Sequence, residues 1–183
     1  MGLALGLGVE LRHAWHVEYD AAPSKILRHH FPGVPNYGDL TTLDHSAIEP
    51  VDWLTAGYPC QPFSHAGKRK GASDDRHLWP FVAATIGALR PRGVLLENVA
   101  GHVSLGLDAV LWDLAALGYD ATWGVVRASD AGAPHRRERV FILAAPADAG
   151  GERHGSRQDG RGVGRLDGAD AELARERQRS RLH

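Results

Sequence analysis

The chain has 183 residues, 43% apolar and 23% charged, which suits one soluble cytoplasmic domain with a buried core. Its single cysteine excludes an internal disulfide framework and fits a reducing cytosol; no apolar run approaches the ~20 residues of a membrane span, and apolar Met1–Gly8 lacks the basic start and cleavage site of a signal peptide. A formal net charge of −1 leaves any contact with nucleic acid to local basic patches.

Residues 3–13 are ambiguous on pattern alone: Leu3, Leu5, Leu7, Val9 and Leu11 alternate as in a strand, yet Leu7 and Leu11 are also helically spaced. Ala14–Asp20 reads as a strand ending in acids. Pro23 then sits near a helix start, and Ile26, Leu27, His30 and Phe31 give that helix one apolar face. Val34–Tyr37 is a short extended piece that stops at Gly38-Asp39. The apolar run Val51–Ala56 reads as a buried strand leading to Cys60.

Residues 65–77 are polar, basic and glycine-containing, a long loop of the kind that is usually functional or disordered. A helical pattern returns from Leu78 to Leu89 through Val82 and Ile86. Val94-Leu95-Leu96 is a buried strand running into Glu97-Asn98-Val99. Leu107, Val110, Leu111, Leu114 and Leu117 mark an amphipathic helix capped by Gly118. Thr122–Val126 and Val140–Ala145 read as two more strands. Alternating strands and helices predict an α/β domain with a mainly parallel sheet. This domain spans 1–146. The tail, 147–183, has almost no large apolar side chain and is expected to be disordered, with a frayed helix near Ala169–Arg179.

Three polar clusters follow strand ends: Pro59-Cys60-Gln61, Glu97-Asn98-Val99 and Arg137-Glu138-Arg139. In a parallel sheet such ends converge on one edge, where ligands bind. A free cysteine is most often a small buried hydrophobe. One held between two prolines just past a strand is better placed as a nucleophile. Glu97, after an apolar strand, is either a structural hydrogen-bonding group or a site carboxylate. Glu18 and Asp39 stand where acids hold ribose hydroxyls or an adenine amine. The eleven histidines show no convincing metal-ligand spacing. His29-His30 reads as a helix surface, and His65, His77 and His135 as loop groups suited to phosphate or substrate.

The block Gly57-Tyr58-Pro59-Cys60-Gln61-Pro62-Phe63-Ser64 with Gly67-Lys68-Arg69-Lys70-Gly71, then Asp75-Arg76 before Leu78, then Glu97-Asn98-Val99 and Arg137-Glu138-Arg139-Val140-Phe141, resembles the DNA cytosine-5 methyltransferases across roughly 1–145. The resemblance implies a Rossmann-like S-adenosylmethionine-dependent methyltransferase fold, incomplete at its N-terminus. It implies methyl transfer to C5 of cytosine in double-stranded DNA. Cys60 would add to C6 of a flipped base, giving C5 the electrons to take the methyl group. Glu97 would hold N3 and the exocyclic amine, and one of Arg137 and Arg139 the cytosine O2. Glu18 would bind the cofactor ribose, Tyr19 would lie beside the adenine, and Asp39 would face its amine. Pro59 and Leu78 would line the methionine end. Gln61, Ser64, Lys68, Arg69, Lys70 and Arg76 would meet DNA from a loop that closes over the base. No metal is implied.

The resemblance also resolves 3–13 as a helix, because Met1–Leu7 looks like the last glycine of the family's glycine-rich cofactor loop and the helix after it. The first strand, most of that loop and the target recognition domain are expected to be absent. A second polypeptide supplying them is then an expected partner. The alternative reading is an inactive remnant or one half of a split enzyme, with at most weak DNA binding. A thiol hydrolase using Cys60 and a histidine would leave Glu97-Asn98 and Arg137-Glu138-Arg139 unexplained.

Overall fold

The computed structural model describes residue 8, residues 10–59 and 78–147, and the short strand Gly164–Arg165. The chain divides into two compact units, Met1–Val51 and Asp52–His183.

In the first unit, α1 (Ala21–His30) starts after Asp20 and carries Arg28, His29 and His30 in its last turn. The Arg28 cation complements the negative end of the helix. None of its residues is buried and Ile26 is 61% exposed, so the expected apolar face is open in this unit. Ala14–Asp20 is extended, as expected, but its pairing shrinks to one parallel bridge between His16 and Asn36. The Asn36 side chain explains this. Its amide accepts from Glu18 N at 2.9 Å and donates to Glu18 O at 3.0 Å, taking the place of the next backbone rung. Residues 10–13 are not helical, contrary to the expected helix over 3–13; residues 1–7 and 9 lie outside the described set. Arg12 and Trp15 explain the extended course, since both bond to Glu49, the indole donating to its carbonyl at 2.9 Å.

The second unit is a sheet with helices. Its strands are β1 (Trp53–Gly57), β2 (Gly93–Val99), β3 (Tyr119–Arg127), β4 (Glu138–Pro146) and β5 (Gly164–Arg165), in spatial order β1-β2-β4-β3-β5. The crossover from β1 to β2 includes α2 (Trp79–Leu89), and α3 (Leu107–Ala116) lies between β2 and β3. The β1–β2 ladder is parallel; β2–β4, β3–β4 and β3–β5 are antiparallel. The sheet is therefore mixed where a mainly parallel one was expected. Strand alternation with helices did set the direction of β1, β2 and β3, which run the same way. β4 then follows β3 without a helical crossover and inserts between β2 and β3, which forces antiparallel neighbours on both sides. The rest of the expected tail lies outside the described residues.

One face of the sheet forms the core with Leu54, Val94, Leu96, Val140, Ile142 and Ala144, all buried. Leu107, Val110, Leu111 and Leu114 are buried along α3, the periodicity read from sequence. One close approach requires a glycine. A Cβ at Gly93 would lie 2.5 Å from the Trp53 ring, so only glycine lets this β1–β2 pair form around the indole. At the helix ends, Arg90 adopts a left-handed conformation (φ 49°), donates to the Leu117 carbonyl and stacks 5.2 Å from the Tyr119 ring. The Tyr119 hydroxyl in turn donates to Pro91 O at 2.7 Å. No helix among the described residues is long and apolar enough to cross a membrane.

Candidate active site

Topology brings three chain segments to one edge. β1 and β2 are parallel, so their C-terminal ends lie together. β4 runs the other way, so its start lies at the same edge, with Val99 opposite Arg139 and Glu97 opposite Phe141. Side chains alternate along a strand, so Glu97 and Arg139 share a face as a diagonal pair. Arg139 Nε reaches Glu97 Oε1 at 2.7 Å, with both side chains partly shielded from water. Glu97 also stands opposite Gly57, and a Cβ there would lie 3.3 Å from Glu97 Oε2. The missing side chain at Gly57 leaves that oxygen room.

Arg137 precedes β4 with φ 36°, a strained setting for a residue with a Cβ. Its side chain is exposed at the same edge. Arg139 Nη1 donates to Glu138 O at 2.9 Å. Pro59 is exposed directly after Tyr58, and Leu78 is the N-cap of α2. Cys60, Gln61, Ser64, Lys68, Arg69, Lys70 and Arg76 lie outside the described residues, as does the expected closing loop.

On the opposite face a buried network holds the end of β1. Asn98 Nδ2 donates to Tyr58 O at 2.9 Å, and its Oδ1 accepts from Val99 N at 2.8 Å. The Tyr58 hydroxyl meets His102 Nε2 at 3.0 Å, its ring packs 5.3 Å from that of Trp79, and Trp79 Nε1 donates to Asp113 Oδ2 at 2.7 Å. Buried hydrogen bonds of this kind are costly to leave unmade, so Tyr58 is fixed through both its carbonyl and its hydroxyl. Glu97-Asn98-Val99 stands out in the sequence as a cluster, but the partner of Asn98 does not, because Tyr58 lies 40 residues away in the chain.

Burial pushes the His102 imidazole below its ordinary pKa, against the upward pull of a hydrogen bond with the Leu105 backbone and of Asp108. The folded state thus takes this proton less readily than the unfolded chain, and stability falls as the pH drops below about 6.5. His13 and His16 are shifted the same way, again chiefly by burial. Thermal unfolding at pH 8 and pH 5.5 should show a smaller acid-induced loss in His102→Gln than in the wild type.

In the first unit, Glu18 Oε1 accepts from Asp20 N at 2.8 Å, and Asp39 Oδ1 accepts from both Thr41 N and Thr41 Oγ1 at 2.8 Å. These bonds orient each carboxylate through one oxygen. Tyr19 is 78% exposed, an open ring face beside them in sequence. Asn36 organises this region. Besides bonding the Glu18 backbone, its Oδ1 accepts from Gly38 N at 3.2 Å and its Nδ2 donates to Ser24 Oγ at 3.2 Å. Nothing local marks Asn36, which reads only as part of the short extended piece Val34–Tyr37.

The sequence pattern of the family C-5 cytosine-specific DNA methylase matches residues 1–159. The chain belongs to this family. It is 39% identical over 137 residues to the Type II methyltransferase M.NlaIV of Neisseria lactamica, covering 68% of this chain and 32% of that protein. It is 38% identical over 155 residues to the Type II methyltransferase M.NaeI of Lentzea aerocolonigenes, covering 78% and 37%. The chain thus spans about a third of the length of these curated relatives. Its fold matches the S. pombe Dnmt2 methyltransferase with a TM-score of 0.66 at 20% identity, over 87% of this chain and 54% of that one. A DNMT2 mutant from Spodoptera frugiperda matches with a TM-score of 0.63 at 18% identity, over 85% and 47%. The α/β methyltransferase fold read from the motifs is the fold of this family.

Proposed function

We propose that the chain carries the catalytic half of a DNA (cytosine-5) methyltransferase. The observation that supports this most is the Glu97–Arg139 pair at 2.7 Å, on the edge where β1 ends shortly before Pro59. The Cys60 thiolate adds to C6 of a cytosine turned out of the duplex. Ring electrons move toward N3, where Glu97 supplies and shares a proton while it also holds the exocyclic amine. Arg139 fixes the rotation of that carboxyl group, and the guanidinium donors of the Arg137–Arg139 pair hold O2. C5, now an enamine carbon, becomes nucleophilic. S-adenosylmethionine supplies the methyl group as an electrophile, with Glu18, Tyr19, Asp39, Pro59 and Leu78 as the residues that would hold it. Loss of the C5 proton and expulsion of the Cys60 thiolate restore the aromatic ring.

Lys68, Arg69, Lys70 and Arg76 supply phosphate contacts that position the duplex without reading its sequence. Gln61 and Ser64 would add to these DNA contacts. The Type II relatives make a role in modifying host or mobile-element DNA the natural setting.

The test is product analysis. The chain is incubated with duplex DNA and S-adenosylmethionine, and the digested nucleosides are resolved by mass spectrometry. 5-Methyldeoxycytidine is the expected product. A methyl group on the exocyclic nitrogen of cytosine or adenine would overturn the proposal.

A further inference from the structure

Glu97 and Arg139 lie on one face of the sheet, and the residues that anchor Arg139 lie on the other. Glu138, the first residue of β4, pairs across the ladder with Arg127, the last residue of β3. Arg127 Nε meets Glu138 Oε1 at 2.7 Å. Arg127 N also donates to Asp130 Oδ2 at 3.2 Å, and Ala128 N donates to Arg136 O at 2.7 Å, so the loop joining β3 to β4 is closed at its base. Glu138 O then accepts from Arg139 Nη1, and Arg139 Nε reaches Glu97. The contacts therefore run from Asp130 through Arg127, Glu138 and Arg139 to Glu97, with the Arg127 amide and the Glu138 carbonyl joining the two ion pairs to their neighbours.

The Arg127–Glu138 pair is half exposed, at 56% and 39% of its side-chain surfaces. Such a pair adds little to global stability. Its position gives it another use. The strand has just left the strained left-handed Arg137, and without a cross-strand anchor its first residue would fray. Fraying at Glu138 would displace the carbonyl that holds the Arg139 guanidinium, one residue along and on the opposite face.

We propose that Arg127 is a positioning residue, which acts through Glu138 to aim Arg139 at Glu97. Asp130, His135, Arg136 and Arg137 are the other charged or titratable groups of the connecting loop. Of these, Asp130 sides with Arg127. The inference rests on the proposed methyl transfer for its consequence in catalysis, but its structural half stands without it.

The experiment has two arms on the full chain. The first follows the Nε–Hε signal of Arg139 by nitrogen-15 NMR in the free protein. Solvent exchange of this proton is expected to be slow in the wild type and several-fold faster in Arg127→Ala and Glu138→Gln. The charge-reversed double variant Arg127→Glu/Glu138→Arg should restore slow exchange. The second arm measures covalent trapping on DNA containing 5-fluorocytosine with S-adenosylmethionine. The rate should fall by roughly tenfold in Arg127→Ala, as a small misplacement of a catalytic group allows. Affinity for DNA should not change, and the double variant should recover the rate. An Arg139 signal that is unchanged in Arg127→Ala overturns the proposal, whatever trapping does. Slower trapping that the double variant fails to recover also overturns it. If the wild type traps no DNA, it is the methyl-transfer reading that fails, and the first arm alone decides the role of Arg127.

Discussion

Replacing Glu97 with Gln is expected to slow methyl transfer by about 10²- to 10⁴-fold, the usual worth of a positioned acid–base group. Gln keeps the size of the side chain and one acceptor oxygen, but it cannot release and recover a proton at N3. It also exchanges an ion pair with Arg139 for a neutral hydrogen bond, and charge-assisted bonds are the stronger class. The folded state should change little, since Glu97 is about 39% exposed and lies on the open face of β2. Single-turnover rates with saturating DNA would separate the chemical step from binding. A variant with a normal rate but weakened DNA affinity would make Glu97 a binding residue only. The neighbouring Gly57 matters to the same result, because it leaves Glu97 Oε2 the space in which to meet a base.

The second large effect concerns the scaffold. Leu96→Ala should cost about 3 kcal/mol of stability, within the range for buried Leu truncation. Leu96 is fully buried, one residue before Glu97, and pairs with Ala56 in β1 and Ile142 in β4. No water reaches its side chain, and neighbours held in two ladders cannot easily collapse into the cavity. For a chain of this length the midpoint of thermal unfolding would fall by roughly 6–12 °C. Leu143 supplies the contrast. It sits in the same β2–β4 ladder, opposite Leu95, but is 43% exposed on the other face. Leu143→Ala should cost about 1 kcal/mol on the area that it buries. Denaturant unfolding of the two variants side by side tests the register, since a one-residue slip would exchange their effects.

The comparison of Leu96 with Leu143 shows which features can be read from the chain. Val94-Leu95-Leu96 announces a strand by composition, and the spacing of Leu107, Val110, Leu111 and Leu114 announces the buried face of α3. Both are local patterns. The alternation of strands with helices also gave the common direction of β1, β2 and β3. The insertion of β4 between β2 and β3 has no local signature, because adjacency is settled by which edges remain open once the earlier strands have paired. That insertion is what places Arg139 diagonally across from Glu97.

The groups missed in the candidate site are those whose partners lie far away in sequence. Arg127 and Glu138 meet only because β3 and β4 pair, and Tyr58 finds His102 only once β2 lies beside β1. Asn36 replaces a backbone rung with its side-chain amide, so Ala14–Asp20 keeps an extended course without forming the strand that its composition suggests. Glu18 and Asp39 are legible from their places at the ends of extended segments, but the bonds that orient Asp39 come from Thr41 in the next turn. Cys60, read from its prolines and from the strand before it, lies outside the described residues, which fix only the β1 end that leads to it.

The central claim is that Cys60 attacks a flipped cytosine at an edge prepared by Glu97 and Arg139. Trapping on duplex DNA with 5-fluorocytosine tests it most directly, because the fluorine cannot leave as the C5 proton does and the adduct therefore persists. With S-adenosylmethionine present, the wild-type chain should form a complex with this DNA that survives denaturation, and Cys60→Ser should form none. A denaturation-resistant complex that forms equally well in Cys60→Ser, or methylation of cytosine C5 by that variant, would contradict the account.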